Sequence, residues 1–294
     1  MRYTLRQLEV FIAIAQSGNL TRAADHLAMS QSAASSALKD LESQFNLQLF
    51  DRVGKRLQLN EQGRLLLPEA MALTEQATAL QNHLMQHQGT GKLRVGATLT
   101  IGNYLAVRMV ANYMQQHPGA EVTLTVDNTE HIVDKVLNFE LDVGLIEGEI
   151  NQPELEIRHW QTDELVVFCH PAHPLAQLDQ AADEQLQQAR WILREEGSGT
   201  RQAFDRGMYG LLPQLDIAME LEHTEAIKRA VQAELGISCL SRIALEDNFR
   251  RGDLSEVKTP QRDFGRSLYI VLHKQKFRTA GLNAWLALCD ETVA

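Results

Sequence analysis

Two sets of residues in this sequence carry groups suited to recognition chemistry. Near the N-terminus, Gln31, Ser32, Ser35, Ser36 and Lys39 recur at helical spacing, and Arg52, Lys55 and Arg56 cluster around Gly54. A helix entering a major groove, about 12 Å wide, must present a slim, hydrogen-bonding face. Gln31 can read an adenine edge, the serines can reach bases or phosphates, and Lys39 can reach the backbone. The basic cluster suits phosphates or a minor groove. The second set is Thr98, Thr100, Glu147, Ser198, Gly199 and Thr200. Hydroxyls beside free N–H groups at helix starts make a cradle for a small oxyanion or carboxylate. Each hydroxyl taken singly is equally an ordinary helix cap. Glu147 stands against a simple anion, since a carboxylate repels it unless protonated, paired or accepting the ligand's proton. That disfavours sulfate and leaves room for a donor such as bisulfite. Arg201 either adds charge there or pairs with Glu195 or Glu196.

The elements that must hold these groups are legible from period and punctuation. Thr4 caps a first helix whose Leu5, Leu8, Phe11, Ile12 and Ala15 share a face, ending at Gly18-Asn19. A short helix to Leu27, the turn Ala28-Met29-Ser30 and a third helix from Gln31 to about Phe45 follow. Two helices across a three-residue turn read as a helix-turn-helix. The segments 49–52 and 56–59 flank Val53-Gly54-Lys55 as a hairpin with a basic tip, a wing. Asn60 then caps a long helix over 61–88, about 40 Å at 1.5 Å per residue. Leu66, Leu73 and Leu80, with Ala70, Ala77 and Leu84, give a coiled-coil seam and hence a dimer. Pro68 is expected to bend or break its first turns.

Beyond Gly89-Thr90-Gly91, strand and helix alternate, which argues for a doubly wound parallel sheet. Strands are predicted at 92–97, 121–126 and 142–146, with helices at 100–117 and 130–139 between them. A second set follows, with Leu165–Cys169 as a crossing strand and Trp191–Leu193 as another. Helices at 200–209 and 225–233, strands at 218–221, 237–240 and 267–272, and a closing helix at 279–289 complete it. In such sheets ligands bind beyond the carboxyl ends of the strands, which is where the second residue set falls.

Charge supports this division. The chain of 294 residues carries a net charge of −10, yet residues 1–60 hold seven Lys/Arg against five Asp/Glu. A basic face on a chain that is otherwise acidic suggests local contact with nucleic acid. No run approaches the ~20 apolar residues of a membrane span, and the first residues lack a signal-peptide pattern, so a cytoplasmic protein without membrane contact is expected. Cys169, Cys239 and Cys289 show no metal spacing. The two histidines of Cys169-His170-Pro171-Ala172-His173 are a weak metal candidate with no further ligand cluster. Ser198 lies in Gly-Ser-Gly rather than GxSxG and has no assignable His or Asp partner, so no catalytic residue is assigned and an enzyme is not expected. An architectural DNA protein would leave the large C-terminal part without a role.

From LRQLEVF to LNEQG, through the linker helix, and in the segments TIGNYL, GLIEGEI, DELVVF, WILREEGSGTR and ELGISCLSR, the chain resembles the LysR-type transcription regulators. The resemblance covers essentially the full length. It implies a winged helix-turn-helix at 1–60, a linker and dimerisation helix at 61–88, and a two-lobed, periplasmic-binding-protein-like effector domain at 89–294. Lobe I is expected at about 92–164 and 268–294, lobe II at about 165–267. It further implies promoter DNA as partner, a homodimer or dimer of dimers, RNA polymerase as a further contact, and a small-molecule or inorganic-anion effector rather than a cofactor. The resemblance to one branch of the family suggests a small anion such as sulfite as that effector.

Overall fold

The computed structural model describes residues 2–53, 56–84 and 91–291. Helix α1 (Leu5–Ser17) opens with a reciprocal capping box between Thr4 and Gln7 and closes at Gly18, whose φ of 59° ends it in the left-handed region. Asn19 caps α2 (Leu20–His26), and Ser30 caps α3 (Gln31–Phe45). Strands β1 (Phe50–Val53) and β2 (Arg56–Leu59) pair antiparallel. Helix α4 (Glu61–Leu84) continues through Pro68 without a break in the helical assignment. Its first turn packs closely on Leu49, just before β1: a Cβ at Gly63 would sit 2.2 Å from the Leu49 carbonyl. Phe11, Ile14, Ala34, Leu41 and Leu49 form the core that fixes α3 against α1.

The linker seam differs from the expectation. Ala70 is buried, and Leu66 and Leu73 pack partly into the N-terminal core, together with Leu67 and Met71. Among the described residues of that row, Leu80, 59% exposed, is the leucine that projects into solvent. The Leu84 side chain, Lys55 and residues 85–90 lie outside what is described. The heptad spacing is real, but its N-terminal half serves the domain's own core.

The C-terminal part runs β3 (Lys92–Thr98), a π-helical turn over Ile101–Ala106 that leads into α5 (Val107–Gln116), β4 (Glu121–Asp127), α6 (Thr129–Leu137), β5 (Val143–Glu147) and β6 (Leu155–Cys169). There follow α7 (Asp183–Gln188), β7 (Arg190–Arg194), α8 (Gly199–Gly207), β8 (Asp216–Leu221), α9 (Thr224–Gln232), β9 (Ser238–Ser241), α10 (Arg242–Arg251), β10 (Ser255–Val257), β11 (Gly265–His273) and α11 (Ala280–Glu291). In one lobe β3 lies between β4 and β5, parallel to both, and β11 joins β5 and β6 antiparallel. In the other, β6 pairs with β9 and β10, and β7 with β8. Trp285, Tyr113 and Leu145 centre the first core, and Trp191, Phe204 and Phe264 the second.

The crossing strand is therefore β6, whose two halves pair in different lobes, and the second crossing is the segment that leads into β11. Trp191–Leu193 lies in β7, which stays within its own lobe beside β8. The first half of β6 escaped the sequence reading because Ile157, His159, Thr162 and Glu164 are exposed and break the apolar run, and the exposed positions change face at an irregularity in the pairing. Among the described residues, no helix is long and apolar enough to cross a membrane.

Candidate effector cleft and DNA-facing surface

Helix α3 presents Gln31, Ser32, Ser35, Ser36 and Lys39 to solvent while Ala34, Leu38 and Leu41 hold it to the core. Residues 31, 35 and 39 fall four apart and so share one stripe. Arg52 is exposed on β1, and Arg56 lies on β2 directly opposite Val53. The fold thus brings the α3 residues together on one face, while the hairpin packs on α1 and α4, with Lys55 outside the described residues.

The second set converges more tightly than its sequence positions suggest. Glu147 ends β5, and its carboxylate points at the helix start after β3. Its Oε1 accepts from the Thr100 N–H at 2.8 Å and the Ile101 N–H at 3.3 Å. Its Oε2 accepts from the Thr200 hydroxyl at 3.2 Å and from Arg266 at 2.8 Å. Arg266, at the start of β11, also donates to the Thr100 hydroxyl at 3.2 Å, the Thr200 hydroxyl at 2.9 Å and Asp163 of β6 at 2.8 Å. Ser241 donates to the other Asp163 oxygen at 2.8 Å. Thr98, Thr100, Glu147, Ser198, Thr200, Asp163 and Arg266 are all buried.

This geometry decides between alternatives that the sequence leaves open. Of the four hydroxyls, Ser198 is the one that caps a helix, accepting from the Thr200 N–H at 3.2 Å, whereas Thr100 makes no side-chain cap. Glu147 is not an unpaired charge beside the cradle. It occupies the cradle, so the anion at the helix start is the protein's own. Burial disfavours its charge, but Arg266, Thr100 and Arg194 offset that and hold the carboxyl below its ordinary range. Burial likewise works against Arg266, and Glu147 and Asp163 keep it firmly protonated. Gly199 serves close approach between lobes: its N–H donates to Thr129 at 3.1 Å, and a Cβ there would lie 2.1 Å from the Glu147 carbonyl.

Arg266 and Asp163 were missed by the sequence reading. The available signal was an arginine opening an apolar strand, since a buried guanidinium must be paired. Arg201 pairs with Asp205 at 2.9 Å and Glu220 at 2.6 Å rather than with Glu195 or Glu196. Glu195 instead holds the buried Arg194 in a two-point contact. Near the cleft, Tyr104 of the π-helical turn reaches Glu225 at 3.1 Å and Lys228 at 3.2 Å on α9, a contact between lobes. A cavity of about 600 Å³ lined in part by Ser198 and Gly199 holds five carboxylates, Glu130, Asp134, Glu149, Glu196 and Asp205, against Arg201, which disfavours an anion there.

The groups considered for metal or nucleophilic chemistry have structural duties. His170 and His173 each accept a backbone N–H at Nδ1, from Ala172 and Leu175, both at 3.2 Å. Burial pushes the Cys169 thiol up to about 11 and that of Cys289 up to about 12, far from a reactive thiolate.

Comparison with known proteins agrees along the whole chain. Residues 5–64 match the family described as bacterial regulatory helix-turn-helix protein, lysR family, and residues 86–294 match the LysR substrate binding domain. The chain is 47% identical over 290 residues to the HTH-type transcriptional regulator YeiE of Escherichia coli, covering 99% of this chain and 98% of that protein. A full-length OxyR variant from Pseudomonas aeruginosa superposes with a TM-score of 0.75 at 22% identity, covering 98% of this chain and 95% of that one. The regulatory domain of Synechocystis CcmR in complex with 2-PG superposes with a TM-score of 0.63 at 28% identity, covering 69% of this chain and 97% of that one.

Proposed function

Because the chain belongs to the LysR family of transcription regulators, we propose that its promoter binding responds to a small anion held between the two lobes of the effector domain. Residues 1–60 bind the DNA, 61–88 link and dimerise, and 89–294 sense, and the protein works in the cytoplasm as a homodimer or dimer of dimers. In this reading Gln31, Ser32, Ser35, Ser36 and Lys39 face the major groove, and Arg52, Lys55 and Arg56 the phosphates. The observation that carries the sensing reading is the convergence of the Thr100 and Ile101 N–H groups, the Thr200 hydroxyl and Arg266 on one carboxylate-sized position. A site that stabilises a carboxylate from within is built for an anion. The CcmR complex supports a small-ligand role for such a domain.

Glu147 narrows the ligand. A fully ionised anion must displace it from Thr100, Thr200 and Arg266, whereas a ligand bringing its own proton can donate to it and bind alongside. Bisulfite, the acid partner of sulfite, is such a ligand. Titration calorimetry of the full chain with sulfite, sulfate and acetate tests this. Sulfite is expected to bind more tightly than sulfate, and Thr200→Val should weaken it about tenfold or more. Sulfate binding as tightly as sulfite would sink the proton-donating ligand. Unchanged affinity in both Thr100→Val and Thr200→Val would move the effector elsewhere.

A further inference from the structure

A second buried ion cluster joins the effector domain to the linker helix. Lys276, following β11, is buried and contacts Glu75 of α4 as well as Asp142, at 2.9 Å, just before β5. Asp142 is held in turn by Arg94 of β3, with Nη2 at 2.7 Å and the backbone N–H at 2.6 Å. Two cations thus face two anions, and the four residues come from α4, β3, the start of β5 and the end of β11. Beside them, Phe139 of the effector domain is buried in the same apolar cluster as Leu67, Ala70 and Met71 of α4. Its φ is 57°, so a bulky residue adopts a left-handed backbone where the ring meets the other domain.

The strands that carry this cluster also carry the cleft. Strand β5 begins after Asp142 and ends at Glu147, and β11 runs from the Arg266 end to just before Lys276. Strand β3 carries Arg94 in its first half and Thr98 at its end. At 3.3 Å per residue Asp142 and Glu147, at opposite ends of β5, are about 17 Å apart. Every β5 residue is buried, and β11 and β3 flank it, so the ladder moves as a unit rather than bending. The joint itself is imperfectly satisfied. Glu75 Oε2 is buried without a hydrogen-bond partner, and burial raises this carboxyl's pKa despite Lys276. Undocking would return that oxygen to water and remove Phe139 from the apolar cluster, so docked and undocked states differ by opposing terms.

We infer that Glu75, Lys276, Asp142 and Arg94 form the joint by which the state of the inter-lobe cleft is passed to the linker helix, and so to the DNA-binding domain. The inference rests on the cleft being the effector site, but its test needs no ligand. Hydrogen exchange of α4 segments is measured in the full chain for wild type, Glu147→Gln, Lys276→Met and the double variant. Lys276→Met should speed exchange around residues 70–80 about tenfold, the equivalent of ~1.4 kcal/mol of lost docking. Glu147→Gln should shift the same segments in wild type and add nothing in the Lys276→Met background. Glu75→Gln, which is nearly isosteric, should act in the same direction if Lys276→Met folds poorly. Unchanged α4 exchange in the joint variants, no shift with Glu147→Gln alone, or fully additive effects would overturn the joint. Loss of anion binding in calorimetry, with this coupling intact, would overturn only the effector reading.

Discussion

Glu147 and Arg266 meet at 2.8 Å with each side chain 1% exposed, one at the end of a strand and the other at the start of its antiparallel neighbour. A pair this deep is stable only as a pair. Arg266→Met leaves both Glu147 and Asp163 without their cation, and should cost about 3–5 kcal/mol in denaturant unfolding. Glu147→Gln should cost less, because Arg266 keeps Asp163. Equal losses in the two variants would contradict the arrangement.

The same pair sets a pH dependence. The folded-state pKa of Glu147 is lowered, so its contribution is present above the unfolded carboxyl's pKa and is lost as pH falls through the folded one. The stability gap between wild type and Glu147→Gln should therefore be flat through the neutral range and close below roughly pH 4. Thermal melts across that range give the answer, and a gap that narrows near neutrality would mean another group is titrating.

On the DNA side, position and specificity should separate. Replacing Arg52 and Arg56 by alanine should weaken binding to promoter and random DNA alike and flatten the salt dependence by about 0.9 per lost phosphate contact. Gln31→Ala should instead reduce discrimination at one base pair, by roughly 1–3 kcal/mol. Fluorescence anisotropy at several salt concentrations separates the two. An unchanged salt slope in the arginine variant removes the hairpin from the interface.

How much of this could be read from the sequence depends on how local each signal is. Thr4, Asn19 and Ser30 cap within three residues of the groups they satisfy, so α1 to α3 were legible almost to the residue. The alternation of β3 to β5 was legible for the same reason. The fate of Glu147 was not, because its partners Thr200 and Arg266 are 53 and 119 residues away. Nor was the split role of the linker row, since spacing shows that Leu66, Leu73 and Leu80 share a face but not where the domain's own core stops covering it. α7 and α10 went unread between stronger signals. Arg242, which opens α10, spends its charge on Glu256 and Glu164 rather than on any site.

The linker row yields its own prediction. Leu80 is exposed on α4, whereas Leu73 packs partly into the N-terminal core. Leu80→Asp should therefore weaken dimerisation while the domain stays folded. Leu73→Asp should lower thermal stability as well, by burying an unpaired charge. Sedimentation and melting of both variants decide it. A Leu80→Asp protein that remains as associated as wild type would place the dimer contact away from this face.

Emptied of its own carboxylate, the cradle should take an anion from outside. Glu147→Ala removes the carboxylate but leaves the donors that held it: the Thr100 and Ile101 N–H groups, the Thr200 hydroxyl and Arg266. A cradle of that kind, emptied and still cationic, should bind formate, which is little more than the missing carboxylate. The variant should be destabilised without additive and recover as formate is added, by about 2.7 kcal/mol once formate reaches a hundredfold its dissociation constant. Sodium chloride at matched ionic strength should not substitute, because chloride lacks the two-oxygen geometry that the N–H groups and Arg266 each address. Wild type should respond far less, its own carboxylate being in place. Thermal melts of both proteins in formate and in chloride provide the comparison. If formate stabilises wild type and Glu147→Ala equally, the ion acts on the surface rather than in the cleft, and the donors around Glu147 serve only to hold the lobes together.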